Sequence, residues 1–316
     1  MIEVSHLTKY YGHFCALDDV SFRIRQGEIV GLLGPNGAGK STAMNILTGC
    51  LAATSGEVKI NEIDMRENPI EAKRQIGYLP EQPPLYQDMT VMEYLQFVYD
   101  LRGCKLPREP HLAEICELVK LGGVEHRLIS QLSKGYKQRL GIAQALVGDP
   151  KLVILDEPTV GLDPKQIIEV RNLIRTLAKR HTVLLSTHIL AEVKAVCQRV
   201  LIIHQGKLIA DEETDRLSRM VEDSTHYRYS IIGPQKEVVR LLSSVPGVSD
   251  VTVTGERDGE AGVYLVSGAS GADCRKAIYY ACQKEARPIL SAGAVGADLE
   301  TVFIELVDRA ESKTKK

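Results

Sequence analysis

Residues 34–41 read Gly-Pro-Asn-Gly-Ala-Gly-Lys-Ser, which satisfies the pattern G-x-x-x-x-G-K-[ST]. Few short patterns restrict a fold so strongly. The pattern works only between a buried strand and a helix N-terminus, and both neighbours are present. Glu28–Leu33 is a short apolar run of strand length, and residues 41–51 carry apolar side chains at helical spacing. Gly34, Gly37 and Gly39 free the backbone to aim successive N–H groups at one point. The helix N-terminus adds positive partial charge there. Lys40 brings a full charge toward the outer phosphates of a nucleotide, and Ser41 a hydroxyl for a magnesium ion.

At 316 residues, the chain is long enough for one large or two modest domains. Its 44% hydrophobic and 25% charged content supports a substantial core. A net charge of −2 gives no basic bias, so nucleic acid is not an expected partner. The seven cysteines are scattered without a C-x-x-C, which implies neither a disulfide framework nor a zinc site and suits a reducing cytosol. Met1 leads directly into strand-like sequence, so a signal peptide is not expected. No apolar run reaches the ~18 residues of a membrane span. A membrane function would therefore need a channel from another chain.

Around the loop, residues 2–7, 20–24 and 55–60 alternate like antiparallel strands with one wet face. A strand is expected over 75–79, then a proline-rich loop and a helix over 91–101, with Thr90 and Glu93 as its capping box. Further helices are expected over 111–121 and 135–147. Strands at 152–155, 182–186 and 200–204 then alternate with helices at 166–178 and 190–197. That alternation implies a parallel sheet covered on both faces. Residues 211–225 are charged and poorly periodic, and read as a helix-plus-linker bridge. From Tyr227 the order is βαββαβ, with a last helix over 299–306. The expected division is 1–215, a linker over 216–226, a ferredoxin-like α+β domain over 227–310, and a solvated tail over 311–316.

Leu152-Val153-Ile154-Leu155-Asp156-Glu157 is a buried strand ending in two carboxylates. Near a phosphate loop, the first acid suits a magnesium ion, directly or through water. The second, Glu157, then lies beside the γ-phosphate and suits a general base on water. One metal-holding acid and one free acid fit hydrolysis, whereas a kinase needs a bound acceptor.

With these parts in this order, residues 1 to about 215 resemble the ATP-binding subunits of ABC transporters. Leu132-Ser133-Lys134-Gly135-Tyr136 resembles the family signature, with lysine and tyrosine where the commonest form has glycine and glutamine. The resemblance implies an α/β phosphate-loop NTPase domain of ABC type: a mostly parallel sheet with antiparallel β and helical subdomains, followed by a small α+β domain. It implies that ATP lies on Gly34, Pro35, Asn36, Gly37, Ala38, Gly39, Lys40, Ser41 and Thr42. Tyr11 would stack on adenine, with Tyr10 as the rival. Ser133 and the N–H groups around Gly135 would reach the γ-phosphate held by a second copy, as an uncapped helix N-terminus can. Gln82, in the proline-rich loop, would touch Mg²⁺ or the attacking water, and Ser41 and Asp156 would hold the metal. His188 would donate to the γ-phosphate. Asp163 would cross the dimer interface, although before Pro164 it equally fits a helix N-cap.

The function so implied is ATP hydrolysis powering a separate multi-span permease. The chain would pair with a second copy on binding ATP and Mg²⁺, in the cytoplasm at the inner face of the membrane. The signature wording and the trailing domain look most like the subgroup serving export-type permeases, including gliding-motility and multidrug-type systems. Two alternatives stand beside this reading. One is a soluble ABC-type ATPase acting on ribosomes or DNA, which usually shows two cassettes or long coiled-coil insertions, absent from this sequence. The other is a ligand-sensing module in which hydrolysis is incidental.

Overall fold

A computed structural model describes residues 1–216, 226–268 and 273–295. The helix expected over 299–306, the tail over 311–316 and all but the ends of the 216–226 linker lie outside the described residues. The chain divides into two compact units, Met1–Thr214 and Asp215–Lys316.

In the first unit, β1 (Ile2–Tyr11) and β2 (Phe14–Ile24) form an antiparallel hairpin. β3 (Ile29–Leu33) enters the glycine-rich loop and α1 (Lys40–Leu47) leaves it. β4 (Ser55–Ile60) and β5 (Ile63–Asp64) complete a four-stranded sheet in the order β2-β1-β4-β5. Helix α2 (Pro69–Arg74) leads into β6 (Ile76–Leu79). Three helices follow, α3 (Val91–Leu101), α4 (Arg108–Leu118) and α5 (Lys134–Leu146). The chain then alternates through β7 (Leu152–Asp156), α6 (Pro164–Leu177), β8 (Thr182–Thr187), α7 (Leu190–Val196), β9 (Arg199–His204) and β10 (Lys207–Glu213).

The second sheet of this unit runs β10-β9-β3-β8-β7-β6. All its pairings are parallel except that of the edge strand β10. Every residue of β3, β7 and β8 is buried, as expected of strands covered on both faces. Each such Val, Leu or Ile contributes roughly 1.5–3 kcal/mol by leaving water. Parallel register matters most here. Leu33 lies beside Thr187, and Asp156 beside Ser186. The glycine-rich loop, the two acids and His188 therefore all leave the sheet at one edge, the carboxyl ends of its central strands.

Three departures from the sequence reading have physical causes. The hairpin strands are longer than 2–7 and 20–24, because bulges break their alternation. His6 and Asp19 both take positive φ in that irregular stretch, and their side chains bond at 2.7 Å. The charged stretch after Leu208 is no helical bridge where it begins: residues through Glu213 continue β10. Its acids are accommodated because an edge strand has a wet side, and Arg199 of β9 forks onto Asp211. Helix α2, absent from the sequence reading, is one short stretch opened by Pro69.

In the second unit, β11 (His226–Ile231), α8 (Gln235–Ser243), β12 (Val248–Asp258), β13 (Ala261–Gly268), α9 (Arg275–Lys284) and β14 (Ile289–Val295) form an antiparallel sheet ordered β12-β13-β11-β14. Tyr227, Tyr229 and Ile231 share one face of β11 by period-two alternation. Val238 and Leu242 of α8 and Ile278 and Cys282 of α9 close over that face as a separate core.

Candidate active site

Helix α1 starts directly from the loop. Gly39 stands at its N-cap with φ 109°, a conformation that L side chains rarely adopt, and a Cβ there would come within 2.7 Å of the Ala16 carbonyl oxygen. Glycine cannot cap with a side chain, and the first turn holds no acid. The first N–H groups of α1 are thus kept for an anion. Lys40 is buried and donates from Nζ to the carbonyl oxygens of Gly34 at 2.7 Å and Pro35 at 3.2 Å. Its amine also lies 4.0 Å from Glu157 Oε1. Burial pulls the Lys40 amine below the ordinary lysine value, against the attraction of Glu157, Asp156 and Glu81.

Across the sheet edge, Asp156 and Glu157 are both buried. Burial pushes the Asp156 carboxyl above the usual carboxylate range. Repulsion from Glu157 and Glu81 adds to this, while the nearby Ser186 hydroxyl and the charge of Lys40 oppose it. Glu157 holds a left-handed backbone, φ 47°, fixed by its N–H donating to the Ser186 carbonyl at 2.9 Å. One of its oxygens, Oε1, lies 2.9 Å from His188 Nδ1, while Oε2 is buried without a hydrogen-bond partner. A carboxylate only accepts, so His188 Nδ1 carries the proton in this contact.

These groups open on a cavity of about 350 Å³ lined by loop residues Asn36 and Gly37, by Gly39 to Thr42, and by Glu157 and His188. Tyr11 and Phe14, cross-strand neighbours at the hairpin end, form an aromatic wall. Tyr10 does not line the cavity, as alternation along the strand implies; its backbone N–H donates to Thr54 Oγ1 at 3.0 Å. Phe14 is hidden in the sequence because register shifts break the alternation of the hairpin that carries it. Gln82 is exposed and does not line the cavity; its neighbour Glu81 does. A run Pro-Glu-Gln-Pro offers no periodicity that would separate the two.

Ser133, Gly135 and Asp163 do not line this cavity either. Ser133 caps α5, its Oγ accepting from the Tyr136 N–H at 3.4 Å, so that helix end is not uncapped as expected, though the bond is long. Asp163 is the N-cap of α6, accepting from the Gln166 N–H at 2.9 Å. The signature packs on this same segment. A Cβ on Gly135 would meet the Gln166 amide at 2.6 Å, and one on Gly161 would meet the Lys134 amine at 1.8 Å.

The cradle fits a nucleotide polyphosphate with a magnesium ion. It offers uncapped helix N–H groups, one buried lysine, a serine hydroxyl and a buried aspartate. Among the described residues, no group of three His, Cys, Asp or Glu could hold a metal unaided. Magnesium needs no such cage, since it takes much of its shell from phosphate and water. No helix among the described residues is long and apolar enough to cross a membrane.

A strand–loop–helix phosphate cradle facing acids at the ends of neighbouring parallel strands defines a phosphate-loop nucleoside triphosphatase. The family model described as ABC transporter matches residues 17–160. The bacitracin transport ATP-binding protein BcrA of Bacillus licheniformis is 37% identical over 86% of this chain and 87% of its own length. The chain belongs to the ATP-binding subunits of ABC transporters, and its activity is ATP hydrolysis. The lantibiotic transport ATP-binding protein SrtF of Streptococcus pyogenes is 39% identical, over 70% of this chain and 95% of its own length. Among solved structures, an ATP-binding subunit of an ABC transporter superposes with a TM-score of 0.64 at 33% identity, covering 70% of this chain and 92% of that one. A dimeric bacterial ABC transporter cassette gives 0.62 at 27% identity in a post-hydrolysis state with ADP and phosphate, covering 68% of this chain and 99% of that one.

Proposed function

We propose that this chain hydrolyses ATP to power export through a separate multi-span permease, as a homodimer closing on two nucleotides, at the inner face of the membrane. The observation that carries the hydrolytic part is the Glu157 carboxylate. Its Oε1 faces both His188 and the Lys40 amine of the phosphate loop, and its Oε2 is buried without a partner. An acceptor so placed removes a proton from water. Lys40 and the N–H groups at the start of α1 neutralise charge gathering on the γ-phosphate. Ser41 and Asp156 hold the magnesium ion, with Gln82 joining if its loop closes inward. The bound metal supplies electrophilic stabilisation of the phosphoryl oxygens. Tyr11 and Phe14 offer flat faces to the adenine ring.

Export is supported by the relatives named for bacitracin, lantibiotic and probable multidrug transport. A partner surface is supported by exposed aromatics just past the Gln82 loop. Tyr86 and Phe97 pack edge to face at 5.5 Å while both stay exposed, a contact poorly suited to open water. Ser133, Gly135 and Asp163, away from the chain's own cavity, are assigned to the cavity of the second copy.

Glu157→Gln tests the reading. It keeps shape but removes the base, so turnover should fall at least about 100-fold while ATP binding survives and a nucleotide-bound dimer accumulates. Phosphate release and light scattering measure both. Native turnover in this variant would sink the assignment.

A further inference from the structure

Glu192 lies outside the cavity, yet its carboxylate joins two segments that end in it. It sits in the first turn of α7 and is 2% exposed. Its Oε2 accepts from the Thr187 hydroxyl at 2.9 Å, and its Oε1 accepts from the Thr159 hydroxyl. Thr187 Oγ1 in turn accepts from the Ile189 N–H at 3.0 Å. Both threonines are buried as well. Thr187 ends β8 immediately before His188. Thr159 follows Glu157 by two residues, inside a turn closed by the Val160 N–H on the Glu157 carbonyl at 3.2 Å.

A carboxylate withdrawn from water needs donors at its oxygens, because a bare buried charge is strongly unfavourable. Neither hydroxyl can drift away without exposing that deficit. The two bonds therefore act as tethers of set length between the ends of β7 and β8. The contact of Glu157 with His188 spans the same gap.

We propose that Glu192 is a positioning residue for hydrolysis. By latching Thr159 and Thr187 it holds the Glu157 and His188 side chains in register with each other and with the phosphate loop. This rests on the reading of Glu157 as base. A slip of about 1 Å in such a pair costs about 100-fold in rate. Ground-state grip on ATP comes from other residues, Lys40 and the α1 N-terminus, so the latch acts on turnover rather than affinity.

Glu192→Gln keeps volume but offers one acceptor oxygen in place of two. Steady-state kinetics on the purified full chain should show kcat at least tenfold lower with KM for ATP within twofold. Thr187→Val should reproduce that split, while Thr187→Ser, which keeps the hydroxyl, should stay within threefold of native. A native kcat in Glu192→Gln overturns the proposal. So does a KM rising in step with the fall in kcat, which marks general loosening. If Glu192→Gln fails to fold, the serine–valine pair decides, and equal behaviour of the two overturns it. Glu157→Gln measured alongside separates the two readings. Turnover there removes the base assignment, whereas an inactive Glu157→Gln with a fully active Glu192→Gln removes only the latch.

Discussion

At the scale of single residues, the site places charges where the fold alone would not. Asp156 shows this most directly. Its folded pKa lies above the unfolded value, chiefly through burial. Any stability linked to it is fully present below the unfolded pKa and is lost as pH rises through the folded one. Near neutral pH its charge therefore weighs against the fold. Asp156→Asn should raise Tm without nucleotide by about 2–4 °C, the equivalent of about 1 kcal/mol. The gap to native should close as pH is lowered toward the acid range. The same variant should lose most of the extra Tm conferred by ATP with magnesium. Thermal melts across pH, with and without ligand, check both signs, and a lower ligand-free Tm would refute the argument. Lys40 and Ser41 were legible in the sequence from the glycine-rich pattern, Asp156 and Glu157 from the apolar strand that ends in two acids, and His188 from the family resemblance alone. Glu81 and Phe14 were not, since nothing in a proline-rich loop or an irregular hairpin says which side chain turns inward. Glu192 was hidden too, because a helix glutamate reads as a solvated residue until the hydroxyls around it are seen.

Among the elements, close backbone approach sets the packing of β6 on α5. A Cβ at Gly77 would lie 1.9 Å from the carbonyl oxygen of Ala145. Backbone cannot yield as a flexible side-chain end can, so the strand would have to lift off the helix. Gly77→Ala should cost about 3 kcal/mol or more, read as a lower denaturant midpoint with unchanged slope. An unchanged midpoint would show that the helix gives way freely. Central elements were readable because the strands buried on both faces are unbroken apolar runs, and because Thr90 and Glu93 form the capping box their spacing implies. Elements at the margins were not. β10 is too charged to look like a strand, and α2 is too short to show a period. The register shifts between β1 and β2 erase the alternation on which a strand assignment depends.

For the molecule as a whole, the telling fact is that, among the described residues, each unit has buried apolar residues of its own. The first unit closes over Ile2, Leu32, Met44 and Leu201, among others, and the second over Tyr229, Tyr264 and Ile278. Each satisfies its own sheet, so each should melt as its own cooperative event. Calorimetry should resolve two transitions, and ATP should raise only the one belonging to the first unit. A single transition moved entirely by ATP would deny that independence. The proposed pairing draws a further consequence from the placement of Ser133 and Gly135 away from the cavity lined by Lys40. If every working site borrows its last donors from another molecule, turnover is a property of encounters. Output would then climb faster than linearly with the number of chains, and an inert copy in a mixed population would silence active ones along with itself.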